Sequence, residues 1–151
     1  SPAWDFSDST LGLLEEFGFG WDSSLMGRDF EAYRPRPVVA LDYENGNQFG
    51  PPSSVLEIPV SWHLDDFPTL DMSPRGGGLG SPDVVLARWM DHFDFGHTHV
   101  PGGVMTVTVH PQTIARAPNL MMFEKLLDHL SDHDDVWFAT LSEVAATWHD
   151  D

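Results

Sequence analysis

The chain has 151 residues, 41% of them hydrophobic, with six tryptophans, no cysteine and a formal net charge of -17. That length and apolar content suit one globular domain with a real core and exclude a disordered chain. The acidity disfavours nucleic acid and anionic lipid as partners, the missing cysteines exclude a disulfide framework and fit a cytoplasmic location, and no run of roughly 18 apolar residues is available to span a membrane.

The chain opens on "SPAWDFS", which reads as the interior of a longer protein. "SDSTLGLLEEFGFG" is then a short helix, with Ser7 as N-cap, Leu11, Leu14 and Phe17 on one face, and Gly18 or Gly20 as its stop. "WDSSLM" follows as a strand end or turn. Residues 28–53, rich in Arg, Pro, Asn and Gly, form a loop that holds at most a small "PVVAL" strand. The next strand runs from Val55 to Trp62, and Pro59 inside it implies an edge or a bulge. "HLDDFPTLDMSPRGGGLGSP" is a long loop with three consecutive glycines, of the kind that often carries function.

A helix is expected from about Asp83 to Phe93, and "GVMTVTV" is a strand apolar on both faces, as in a covered parallel sheet. "NLMMFEKLLDHL" has the clearest helical period, with Phe123, Leu126, Leu127 and Leu130 in step. "DVWFAT" is a last strand, and "TLSEVAATWHDD" a closing helix opened by a capping box of Thr140 and Glu143. Strands alternating with helices predict an α/β fold with parallel strands.

Sites in such folds collect at the carboxyl ends of strands. His110 sits at one such end, where Pro111 breaks the backbone; Asp65 and Asp66 follow another, and Asp22 a third. An Asp held against a His fixes its tautomer and raises its basicity, which suits general acid or base work. The plainer alternatives stand beside this. A lone strand-end histidine is more often structural, and the two aspartates equally suit a helix or turn cap. His97 and His99 have a spacing that suits a metal, but they lie beside glycines and Pro101 and are expected in a solvated loop. His129, His133 and His149 are expected at the surface.

In order along the chain, "SPAWDFSDSTLGLLEEFGF", "WDSSLM", "EIPVSWHLDDFP", "VTVHPQ" and "VWFATLSEVA" resemble the C-terminal half of the polysaccharide deacetylase family, carbohydrate esterase family 4. The likeness is strongest to the branch of peptidoglycan deacetylase-like and allantoinase- or cyclic-imidase-like enzymes. It implies that residues 1–151 are the C-terminal half of a distorted (β/α)7–8 barrel with parallel strands. It implies a metal-dependent hydrolase of non-peptide C–N bonds (amide, N-acetyl, cyclic imide or ureide). By the same resemblance His110 is the general acid and Asp65 the residue that holds its ring, while Trp4, Trp62, Asp66 and Asp22 line the substrate groove.

The divalent metal, expected to be zinc, has its ligands and the catalytic base in family motifs that this chain lacks, so no metal ligand is assigned among these residues. A companion polypeptide carrying the N-terminal half of the barrel is the expected partner, with a small-molecule or sugar amide as substrate; a homo-oligomer of the two-chain unit is compatible. The alternative is a non-catalytic half-barrel or pseudoenzyme subunit.

Overall fold

A computed structural model describes residues 1–71 and 78–149. Two of the three glycines at 76–78 therefore lie outside the described residues. The chain divides into two units: Ser1–Pro59 together with residues from Ala139 onward, and Val60–Phe138.

The first unit contains helix α1 (Thr10–Glu16), strands β1 (Trp21–Asp22), β2 (Val38–Ala40), β3 (Gln48–Phe49) and β4 (Leu56–Glu57), and helix α6 (Leu141–Thr147). β1 and β4 pair in parallel, Asp22 opposite Glu57, as the sequence predicts for strands of an α/β fold. The strand expected over Val55–Trp62 is shorter: it is confined to Leu56–Glu57, with a last bond to β1 from the Ile58 N–H to the Asp22 carbonyl. The "PVVAL" segment does form a strand, β2, paired antiparallel with β3 in an exposed hairpin that the sequence reading left as loop.

α1 begins after Ser9, not Ser7, and only Leu11 of its expected face is buried; Phe17 is 73% exposed. Gly18 follows at φ +73°, the left-handed conformation that ends a helix without a Cβ clash. The capping box of α6 is present, with the Thr140 N–H donating to Glu143 and the Glu143 N–H to the Thr140 hydroxyl.

Glu57 organises this unit. Its backbone exchanges hydrogen bonds with Tyr33 at 2.8 and 3.0 Å, and its carboxylate Oε1 accepts the N–H groups of Ser24 and Leu25 at 2.7 and 2.8 Å. The side chain is wholly buried, and its Oε2 has no hydrogen-bond partner among the described residues. Burial pushes its carboxyl from 4.5 up to about 7, and the neighbouring Asp22 adds to the rise against the two N–H donors.

The second unit contains α2 (Phe67–Leu70), α3 (Pro82–His99), α4 (Pro111–Ile114) and α5 (Ala117–Ser131). Its core is Leu64, Leu70, Val85, Trp89, Phe93, Ile114, Met122, Leu126 and Leu130. Burying each such side chain contributes about 1.5–3 kcal/mol. Trp89 is fully buried, and its indole N–H donates to the His63 carbonyl at 2.9 Å. The face of α5 is rotated from the expected one: Met122 is buried and Leu127 is 38% exposed.

α3 runs six residues beyond Phe93, so His97 and His99 lie in its last turn and not in a loop. His97 bonds Asp135 at 3.0 Å, His129 bonds Asp94 at 2.7 Å, and both rings, with His133, pack on Phe93. His129 and His133 are thus partly covered, whereas the sequence reading put them at the surface.

Among the described residues the expected strand "GVMTVTV" forms only one parallel bridge, Thr108 to Asp65, and "DVWFAT" forms no ladder. Trp137 and Phe138 there are more than half exposed. Two one-turn helices, α2 and α4, were not expected; the first lies in the long predicted loop. Pro2, Pro68, Pro82, Pro111 and Pro118 each occupy the first or second position of a helical segment, where the missing N–H is not needed. No helix of the described residues is long and apolar enough to cross a membrane.

Because the Glu57 carboxyl is raised, the folded chain holds this proton more tightly than the unfolded one. The resulting stabilisation is complete below about pH 4.5 and is lost as pH rises to about 7. Glu57→Gln, which keeps an acceptor and removes the titration, is expected to flatten this part of the pH dependence of the melting temperature. An unchanged slope would refute the assignment.

Candidate acid–base site

The site is built where two chain segments meet in the second unit. Ser61 accepts the His63 N–H and opens a 3-10 turn over Trp62–Leu64. The chain then extends through Asp65, where it pairs with Thr108: the Thr108 N–H donates to Leu64, and the Asp66 N–H to Thr108. α2 begins directly after Asp66. On the second segment α4 begins directly after His110, with Pro111 at its first position. Each key residue is therefore the N-cap of a one-turn helix, and the single bridge between Asp65 and Thr108 brings the two caps side by side.

Asp66 is fully buried and meets His110 three times. Both carboxylate oxygens accept the His110 backbone N–H, at 3.1 and 3.0 Å, and Oδ1 lies 2.7 Å from Nδ1 of the ring. Asp65 lies farther off, its Oδ1 3.7 Å from Nδ1, and that oxygen accepts the Phe67 N–H at 2.7 Å. The residue that holds the ring is thus Asp66, where the sequence reading had Asp65. The reason is the change of backbone between the two: Asp65 is extended and its Oδ1 caps the Phe67 N–H, while Asp66 is already helical and, beside the Thr108 pairing, its carboxylate is the one that takes the His110 N–H.

Burial raises the Asp65 carboxyl, and the negative Asp66 beside it adds to this; the Phe67 N–H and the imidazole pull it down. The Phe67 ring lies 5.4 Å from the His110 ring at 52°. Its contact was missed, although an aromatic directly after an N-capping Asp and before a proline is a visible signal for one at a helix entry. Trp62 is half exposed on its 3-10 turn, not on a strand. Trp4 and Asp22 belong to the first unit, Trp4 in a 3-10 turn and Asp22 as the buried last residue of β1.

A carboxylate that accepts from Nδ1–H fixes the tautomer and leaves Nε2 for a reaction partner. With 36% of its side chain exposed, His110 can exchange a proton with a bound molecule while its partner stays dry. Asp65, Asp66 and His110 also offer ligand atoms that all lie within 4.8 Å of one another, close enough to share a cation. Asp66 Oδ1 and His110 Nδ1 are engaged with each other and Asp65 Oδ1 with the Phe67 N–H, so an ion that took these atoms would have to break the Asp66–His110 bond. The trio fits proton transfer better than metal ligation.

No family model matches the chain. Over 158 residues it is 34% identical to the peptidoglycan deacetylase of Helicobacter pylori, an alignment that covers 96% of this chain and 54% of that protein. It is 28% identical to a peptidoglycan deacetylase-like protein of Gibberella zeae, over 96% of this chain and 49% of the other. Its fold matches a crystal structure from Mycobacterium smegmatis assigned as a polysaccharide deacetylase, with a TM-score of 0.74 at 28% identity, covering 96% of this chain and 46% of that one. The chain thus spans about half the length of the curated relatives it matches. The structural relatives are (β/α) barrels, and the α/β architecture seen here is consistent with half of one.

Asp66→Ala would leave the buried His110 N–H without its acceptor. It is expected to destabilise the protein by about 1.5–3 kcal/mol in denaturant unfolding, as for bonds to a charged group, and by more than Asp65→Ala. Equal losses for the two variants would overturn the ranking.

Proposed function

The chain belongs to the polysaccharide deacetylase family, and on that premise we propose that it carries the general acid of a hydrolase that removes the acetyl group from N-acetylated sugar. The observation that supports this reading is the 2.7 Å bond between the buried Asp66 carboxylate and Nδ1 of a half-exposed His110. The names of the curated relatives favour a peptidoglycan-type N-acetyl group over a ureide or cyclic imide.

An amine is a poor leaving group unless it is protonated as the C–N bond breaks. In the proposed reaction the His110 imidazolium donates from Nε2 to that nitrogen. Asp66 holds Nδ1–H throughout, so the ring keeps its orientation and presents Nε2 to the leaving nitrogen. Asp65 adds a second carboxylate at 3.7 Å and, by capping Phe67, keeps that aromatic against the imidazole. Phe67 and the exposed Trp62 offer apolar surface of the kind on which a sugar ring packs.

A divalent metal, zinc by the family resemblance, would activate water and polarise the carbonyl when bound by residues outside this chain. Those residues form the other half of the barrel in this reading, on a companion polypeptide or on more of the same one. The segments at 104–109 and 136–140 support it: their sequences are apolar and rich in strand formers, but among the described residues they form only the one bridge at Thr108.

The test is deacetylation of N-acetylglucosamine oligomers by the full protein loaded with zinc. His110→Ala should lower the turnover number by about 100- to 10,000-fold, the usual contribution of a general acid, with bound zinc unchanged. Asp66→Asn should cost more than Asp65→Asn. Full activity in His110→Ala would sink the proposal, and loss of the metal would make His110 a ligand.

A further inference from the structure

The Asp66–His110 pair sits at one end of two short helices, and the other end of those helices is tied as well. Thr113, three residues beyond His110 and 1% exposed, donates its hydroxyl to Asp71 Oδ2 at 2.7 Å. Asp71 is the residue that ends α2, the helix Asp66 begins. Thr113 is fixed from a third side: the Asn119 side-chain amide, also buried, donates to the Thr113 carbonyl at 2.9 Å and pins α4 to the start of α5.

From these contacts we propose that Thr113 and Asp71 are positioning residues, whose hydrogen bond sets how closely the His110 ring approaches Asp66. This rests on the reading of His110 as an acid, and it adds two residues to which that reading assigns nothing. The physical argument is one of rigidity. A helix of one turn has no stability of its own, since nucleation fixes several dihedrals for a single hydrogen bond. Leu70 N–H to Asp66 and Asp71 N–H to Phe67 close the first turn, and Thr113 and Ile114 N–H to His110 with Ala115 N–H to Pro111 close the second. The strand before His110 forms only one bridge, at Thr108. What holds α2 and α4 in register is therefore the pair of ties at their two ends: Asp66 to His110 at the caps, and Asp71 to Thr113 one turn later. A hydroxyl donating to a carboxylate is a strong and directional tie. Losing it leaves α4 held by Asn119 and by the Asp66–His110 tie, and the freedom gained at its far end falls on the His110 ring.

The experiment uses the full protein with [15N]histidine. Thr113→Val keeps the shape and removes the hydroxyl; Asp71→Ala removes the acceptor. Both are expected to move or broaden the low-field proton resonance of the Asp66–His110 bond, a readout that does not depend on the reaction. Both should lower kcat about tenfold, the worth of one such bond, with KM within about twofold. Thr113→Ser should restore both signals, and the double variant should lose no more than either single one. An unshifted resonance in folded Thr113→Val or Asp71→Ala overturns the proposal, as does failure of Thr113→Ser to rescue. If His110→Ala stays active, the acid reading falls, and the resonance alone still decides whether the tie positions the ring.

Discussion

A carboxylate taken out of water needs hydrogen-bond donors, and Asp66 finds them on a single residue. Its two oxygens accept the backbone N–H and the ring Nδ1 of His110, so the cost of burying the charge is offset only while His110 stays in place. Main chain and side chain of one histidine are thereby locked to one partner. The ring cannot turn to another rotamer without leaving a buried anion short of a donor. The rest of the second unit follows from this constraint: α2 has to start at Asp66, α4 has to start at His110, and the core under them, Leu64, Leu70 and Ile114, keeps water from competing.

The first unit answers the same problem differently. Glu57 is as buried as Asp66, but its donors are two main-chain N–H groups on the Ser24–Leu25 turn, and they reach only one of its oxygens. The charge is less fully compensated, and its proton affinity rises accordingly. Two buried acids within 10 residues of sequence thus differ by how many of their oxygens are served. Asp66 has both oxygens taken up by its neighbour. Glu57 serves as a structural clasp that gathers β1, β4 and Tyr33.

What was legible in the sequence was mostly what is local. The capping box of α6, the break at Pro111 and the importance of "DDFP" and "VTVHPQ" all follow from residues close together in the chain. Which aspartate meets His110 did not, because it depends on a one-residue register between segments more than 40 positions apart. The end of α3 was misjudged for a related reason. Gly96, His97 and His99 are weak helix formers, yet the last turn is held by the His97 ring packing on Phe93 one turn earlier and by its tertiary bond to Asp135. The expected strands at 103–109 and 135–140 have the right composition, but a strand is made by its neighbour, and composition does not supply one.

The prolines at the helix entrances act in a way that no contact reveals. Pro68 stands two residues after Asp66, and Pro111 directly after His110. A proline at such a position restricts the unfolded chain to fewer conformations, so less disorder is given up when the turn forms. The narrowing also reaches back one residue, since the residue before a proline is pushed toward extended backbone, and His110, at φ -108° and ψ 126°, adopts just that. Part of the pre-organisation of this imidazole is therefore present before the protein folds, written into the statistics of the denatured chain.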